Sequence, residues 1–129
     1  MPKTYCLLNH LLTQNQLAEL KERFESEEII YPSDELSKKW SQVPATPDLD
    51  MDLIRNVTEW LSLANQNDVL IVQGEFGSTF MLVDYALKMN LVPIYAVTTR
   101  ISKEIRVGEK VQKVNVFEHV CFRKYKFYE

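Results

Sequence analysis

The chain has 129 residues, 46% of them apolar and 26% charged, which suits one folded domain and excludes a disordered chain. Fifteen basic residues against 18 acidic ones give a formal charge of −3, so the broad basic field that duplex nucleic acid demands is missing. A small anion held in a local pocket is still compatible with that balance. No apolar run reaches the ~18 residues of a membrane span, and the apolar stretch ending at Asn9-His10 is too short and polar for a signal peptide. A cytoplasmic protein with no membrane partner is expected.

The elements follow in order. Tyr5-Cys6-Leu7-Leu8 is of strand length, and Thr13 with Gln16 three residues on is a capping box opening a helix that carries Leu17, Leu20 and Phe24 on one face. Glu28 to Tyr31 predicts a second strand stopped by Pro32, and Ser33 caps a short helix to Trp40. Leu49 to Asn65 repeats apolar residues at helical spacing. Val69-Leu70-Ile71-Val72 is continuously apolar, the pattern of a central parallel strand covered on both faces.

A helix from Gly77 to about Met89 is apolar over most of its circumference. One stripe is Phe76, Phe80, Val83 and Leu87, the other Met81, Tyr85 and Met89, which fits either a subunit contact or a helix wedged in its own core. Leu91 to Val97 reads as a strand, and Glu104 to Val107, Gly108-Glu109 and Lys110 to Tyr128 as a hairpin. Strand–helix alternation followed by a hairpin predicts one α/β domain over 1–129. Its mainly parallel sheet occupies a core over 1–100, with helices on the faces and the antiparallel hairpin over 101–129. Cys6 and Cys121 match no metal spacing and are expected to be reduced, buried thiols.

Ligands of open α/β sheets bind beyond the carboxyl ends of the parallel strands. That rule selects Asn9-His10, Gln73 to Thr79, and Thr98-Thr99-Arg100. Gly74 and Gly77 permit close backbone approach or a positive φ, and Ser78 and Thr79 open a helix whose free amides favour an anion. These residues equally serve as plain helix caps. The spacing matches neither G-x-x-x-x-G-K-[ST] nor G-x-G-x-x-G. Arg100 suits bidentate phosphate contact or a surface ion pair, and His10 suits proton transfer or a structural hydrogen bond. His119, inside a C-terminal strand, reads as structural. Two distant histidines without H-E-x-x-H or C-x-x-C point to no metal and no cofactor.

Val69 to Thr79 and Leu91 to Arg100, with Leu7-Leu8-Asn9-His10 and Leu36 to Trp40, resemble the small stand-alone Csx-type proteins of type III CRISPR loci. These carry a CRISPR-associated Rossmann fold (CARF-like) and are regarded as ring nucleases. The resemblance implies a Rossmann-like sheet and a two-fold homodimer. It also implies binding and cleavage of a cyclic oligoadenylate, the tetra-adenylate foremost, which switches off the antiviral signal. By position it places Asn9, His10, Gln73, Gly74, Glu75, Phe76, Gly77, Ser78, Thr79, Thr98, Thr99 and Arg100 at the ligand.

Such a ring brings its own nucleophile, the 2′-OH, so the protein must align it and stabilise phosphoryl charge. Arg100 with the Ser78/Thr79 helix start is expected to stabilise the charge, His10 to move the proton, and Thr99 to orient the hydroxyl. A non-catalytic binder of the same ligand and an interaction module without a nucleotide both stay open.

Overall fold

A computed structural model describes all 129 residues, 1–129. Five strands form one sheet: β1 (Thr4–Leu7), β2 (Ile29–Ile30), β3 (Val69–Val72), β4 (Val92–Val107) and β5 (Lys110–Lys124). Their order is β2-β1-β3-β4-β5; β1 to β4 pair in parallel and β5 runs antiparallel to β4. The expected α/β architecture is therefore present. Every residue of β1 and β3 is buried, which is why Tyr5 to Leu7 and Val69 to Val72 read as unbroken apolar runs rather than alternating ones. No helix is long and apolar enough to cross a membrane.

The helices are α1 (Gln14–Phe24), α2 (Asp34–Ser41), α3 (Met51–Trp60, extended by a 3₁₀ turn at Leu61–Leu63) and α4 (Phe76–Lys88). On one face of the sheet α2, α3 and α4 bury Trp40, Leu53, Val57, Leu82 and Ala86 against Tyr5, Leu7, Leu70 and Val72. On the other, α1 stands alone and sets Leu20 against Cys6, Ile71, Ile94 and Phe122. Thr13 forms the expected capping box with Gln16 at the start of α1. Glu19 on α1 accepts from the Phe122 backbone N–H at 2.8 and 3.0 Å and pairs with His119 and Arg23, tying the helix to the far strand.

Three expectations change. The helix expected from Gly77 begins at Phe76, because the Glu75 carboxylate caps it. The strand expected to stop at Val97 runs unbroken to Val107, since β5 offers a pairing partner all the way, so Thr98 to Arg100 lie within a strand rather than after one. The boundary drawn at residue 100 accordingly falls inside β4. The two-residue turn Gly108-Glu109 is as expected, with Gly108 at φ 64° in the left-handed conformation that hairpin turns require.

A β-bulge interrupts the β4–β5 register between Val97 and Thr98: Val97 faces Cys121, Thr98 faces His119, and Val120 is the extra residue. Its effect is specific. Side chains three residues apart on a regular strand point to opposite faces, yet His119 and Phe122 both meet α1, with ring centroids 4.6 Å apart. The bulge reconciles the two. Beyond it, β4 and β5 continue as a two-stranded arm ending at the Gly108 turn.

Candidate functional site

The order of the strands reverses between β1 and β3, and in doubly wound sheets the crevice outside that switch point is where ligands bind. A cavity of about 300 Å³ lies there. Asn9 and His10 reach it from the end of β1, Gln73 and Gly74 from the end of β3, and Ala96 and Thr98 from β4; Thr13 and Gln16 of α1 and Phe117 and His119 of β5 close the sides.

The wall is built from inside the sheet outward. Gln73 accepts the Ala96 N–H on its side-chain oxygen at 2.8 Å, which fixes its amide and leaves the NH₂ group unengaged. The carbonyls at the end of β3 and of Gln73 itself are satisfied from the other face: Tyr125 donates to Val72 O at 2.8 Å, and Trp40 Nε1 donates to Gln73 O at 2.9 Å. His10 is exposed and meets the Leu11 carbonyl through Nδ1 at 2.9 Å. That contact makes Nδ1 the protonated nitrogen of the neutral ring and leaves Nε2 as a free base.

His119 contrasts with His10. Gln16 Oε1 already accepts the Thr13 N–H, so its Nε2 is the donor that faces His119 Nδ1 at 3.4 Å. The neutral His119 ring then carries its proton on Nε2 and donates to Glu19 at 2.6 Å. Burial alone would raise the Glu19 pKa, but hydrogen bonds from the Phe122 N–H, His119 and Arg23 outweigh it and hold the carboxyl below its ordinary value. His119 is thus a clamp between α1 and β5 that also forms part of the cavity wall.

Of the residues selected from sequence, Asn9, His10, Gln73, Gly74 and Thr98 come together here. Arg100 stands one step beyond, opposite Phe117 and on the same face of β4 as Thr98. Thr99 points to the opposite face, so the expectation that it orients a hydroxyl in this cavity is corrected by strand alternation.

The helix start is corrected as well. Glu75 accepts from the Gly77 N–H at 2.5 Å and from the Ser78 N–H and Oγ–H at 3.1 and 2.8 Å, so the chain's own carboxylate occupies the place reserved for an anion. Those hydrogen bonds, led by the one from Gly77, keep the Glu75 pKa below its ordinary value. Ser78 is buried, with its hydroxyl engaged by Glu75.

Neither Gly74 nor Gly77 has a positive φ. Gly74 is required because a Cβ there would lie 2.7 Å from the indole of Trp40. Phe76 and Thr79 line a second, apolar cavity of about 390 Å³ with Phe80, Val83, Tyr95 and Tyr125, on the other side of the Gln73-Gly74 turn. The Thr79 hydroxyl is buried without a hydrogen-bond partner.

Sequence reasoning passed over Thr13, Gln16, Phe117 and His119 as site residues. The first two are visible as a capping box, yet only the packing of α1 on the sheet brings them to the cavity. Placing Phe117 and His119 requires the β4–β5 register, including its bulge.

A protein of Methanocaldococcus jannaschii called "Uncharacterized protein MJ1673" is 36% identical over 129 residues, spanning 99% of this chain and 100% of its own length. No solved structure matches. The family model described as "Uncharacterized protein MJ1673 family" matches residues 2–123, and the chain belongs to that family.

Proposed function

We propose that the switch-point cavity binds a cyclic oligoadenylate, foremost the tetra-adenylate, and that the protein opens the ring without a metal, ending type III CRISPR signalling. The observation carrying this reading is the convergence of Asn9, His10, Gln73 and Thr98 on one polar cavity at the carboxyl ends of β1 and β3, beside the middle of β4. An acidic chain accommodates such a ligand because a compact ring needs only a few local donors.

In the proposed reaction the His10 Nε2 lone pair takes the proton of a ribose 2′-OH. The 2′-oxygen attacks the adjacent phosphorus, the P–O5′ bond breaks, the departing 5′-oxygen takes a proton from water, and His10 returns the proton it took to the solvent, so no net proton is gained or lost. The products are a 2′,3′-cyclic phosphate and a 5′-hydroxyl. Thr98 replaces Thr99 as the residue orienting the hydroxyl, and Arg100, on the same face, neutralises the phosphoryl oxygens. The Phe117 ring, 67% exposed at the rim, offers a stacking surface for a base. In a two-fold pair of chains this set is presented twice to a symmetric ring.

Product analysis on rings of three, four and six adenylates, with EDTA present, tests the reading. A 2′,3′-cyclic phosphate product is expected, and Arg100→Ala lowers turnover by several tenfold steps while leaving the melting temperature unchanged. A strict metal requirement refutes the mechanism, and unchanged turnover removes Arg100 from it.

One observation favours a second reading, that of a binder without cleavage. His119 is locked between Glu19 and Gln16, which leaves His10 as the one free imidazole and no matched acid for the departing oxygen. Under that reading, excess labelled ring saturates the protein stoichiometrically and is recovered intact.

A further inference from the structure

The β4–β5 arm has two unlike faces. Residues directly opposite one another share a face, so Ile101 with Val116, Lys103 with Val114, Ile105 with Gln112 and Val107 with Lys110 form one side. That side is β-branched along its length and is bordered by Lys103 and Lys110. Ile105 and Val107 are 46% and 59% exposed, so the rest of the chain leaves them uncovered. A two-stranded ribbon standing alone is marginal in water, and an apolar face on it calls for a cover.

Alternation along β4 connects this face at its root to Tyr95, hence to the side of the sheet that carries α4. There Phe76 and Phe80 lie open at 92% and 73% exposure, with Asp84 one helical turn beyond Phe80. We propose that the apolar face of the arm and the Phe76–Phe80 face of α4 bind a second copy of this chain, each copy laying its arm across the other's α4.

Charge favours that occupant. Residues 98–120 hold five basic and three acidic side chains, a surplus of +2, which leaves the rest of the chain at −5 of the overall −3. An arm laid on another copy's body therefore brings opposite signs together, with Lys103 approaching Asp84. The area is also adequate. Ten residues of ribbon span about 33 Å at a width of about 10 Å, or about 330 Å² per face. Two aromatic rings add roughly 300 Å² or more, which approaches the roughly 800 Å² per partner of a stable interface. A reciprocal two-fold contact counts both surfaces on each copy.

This locates the contact of the two-fold pair on which the nucleotide reading rests, and its test contains no nucleotide, so failure of the contact is told apart from failure of ring cleavage. Sedimentation of the full chain at roughly 50 μM is expected to give a dimer, the state in which an interface of this size is occupied. Ile105→Lys and Phe80→Glu, both at exposed positions away from the core, are expected to give monomers with unchanged far-ultraviolet circular dichroism. Arg106→Ala, on the opposite face of the arm, stays dimeric. Asp84→Lys weakens the dimer, and Lys103→Asp in the same chain restores it. A monomeric wild-type chain, the outcome if a different protein covers the arm, overturns the proposal, as does an Ile105→Lys variant that remains a dimer.

Discussion

Gly74→Ala separates the two explanations for the glycines of Gln73 to Thr79. An added Cβ would stand 2.7 Å from Trp40 Cε2 and Cζ2 and 2.9 Å from Nε1. Trp40 is 1% exposed within the larger core cluster, so its ring has no free direction in which to retreat. Displacing it costs about 1–3 kcal/mol of overpacking. It also breaks the 2.9 Å bond from Nε1 to Gln73 O, worth about 0.5–1.5 kcal/mol. The loss is therefore about 2–4 kcal/mol, or roughly 10 °C in melting temperature for a chain of this size. Gly77→Ala is the internal control. Its Cβ would lie 2.5 Å from Leu49 Cδ2, the mobile end of a side chain 43% exposed, and at ordinary contact, 3.4 and 3.6 Å, from the Glu75 carboxylate oxygens, and alanine gains up to about 1 kcal/mol of helix propensity. Urea unfolding of both variants reads the difference directly. If Gly74→Ala is no more destabilising than Gly77→Ala, the packing account of Gly74 is wrong and a ligand-facing role regains its place.

The Glu19 network sets the acid limb of stability. Its folded-state pKa lies below the ordinary value, so its contribution is present above the usual carboxylate range and lost as pH falls through the lowered value. Glu19→Gln is expected to cost about 1.5–3 kcal/mol at neutral pH and to flatten that limb in thermal unfolding; an unaltered pH profile counts against the network. Cys6 is 2% exposed and burial pushes its thiol up to about 12, so a thiol reagent at pH 8 should modify only Cys121 until the chain is unfolded. Two thiols titrating at equal rates in the folded protein would contradict this. Deleting Val120 regularises the bulge and leaves His119 two positions from Phe122, hence on the same face, so the loss is expected below that of His119→Ala in the same unfolding assay. A greater loss from the deletion refutes the role assigned to the bulge.

The fold was legible because its central strands are buried on both sides. Val69 to Val72 admits no polar position, and such a run bounded by polar residues leaves little besides an interior parallel strand. The helix boundary failed for an identifiable reason. Glutamate is a poor N-cap by preference, so a reading based on propensity passes over Glu75 and settles on the small residues that follow. Once Glu75 caps the helix, the anion site expected at Ser78 and Thr79 is filled from within. The reason for Gly74 was equally hidden, since it lies in Trp40, 34 residues earlier, and only the packed layer brings the two together.

The site was legible where it depends on strand ends and illegible where it depends on register. Asn9, His10 and Gln73 follow from the rule for open sheets, which needs only the position of each strand. Thr98, Thr99 and Arg100 looked equivalent because they were expected after a strand, where no alternation applies. Inside a strand they divide. Thr98 and Arg100 join Ala96 on the side of the polar cavity, whereas Thr99 joins Tyr95 and Ile101 on the side of Phe76 and Phe80. The proposed ligand and the proposed second copy thus use opposite faces of one ribbon. A slip of β5 by one residue would exchange its contribution to them, presenting Val116 to the cavity and Phe117 to the apolar contact. Glu19 prevents that slip at the root of the arm by holding His119 and the Phe122 N–H together, and the two-residue Gly108 turn prevents it at the tip. The clamp that reads as merely structural at His119 is therefore what gives Phe117 its side, next to Arg100.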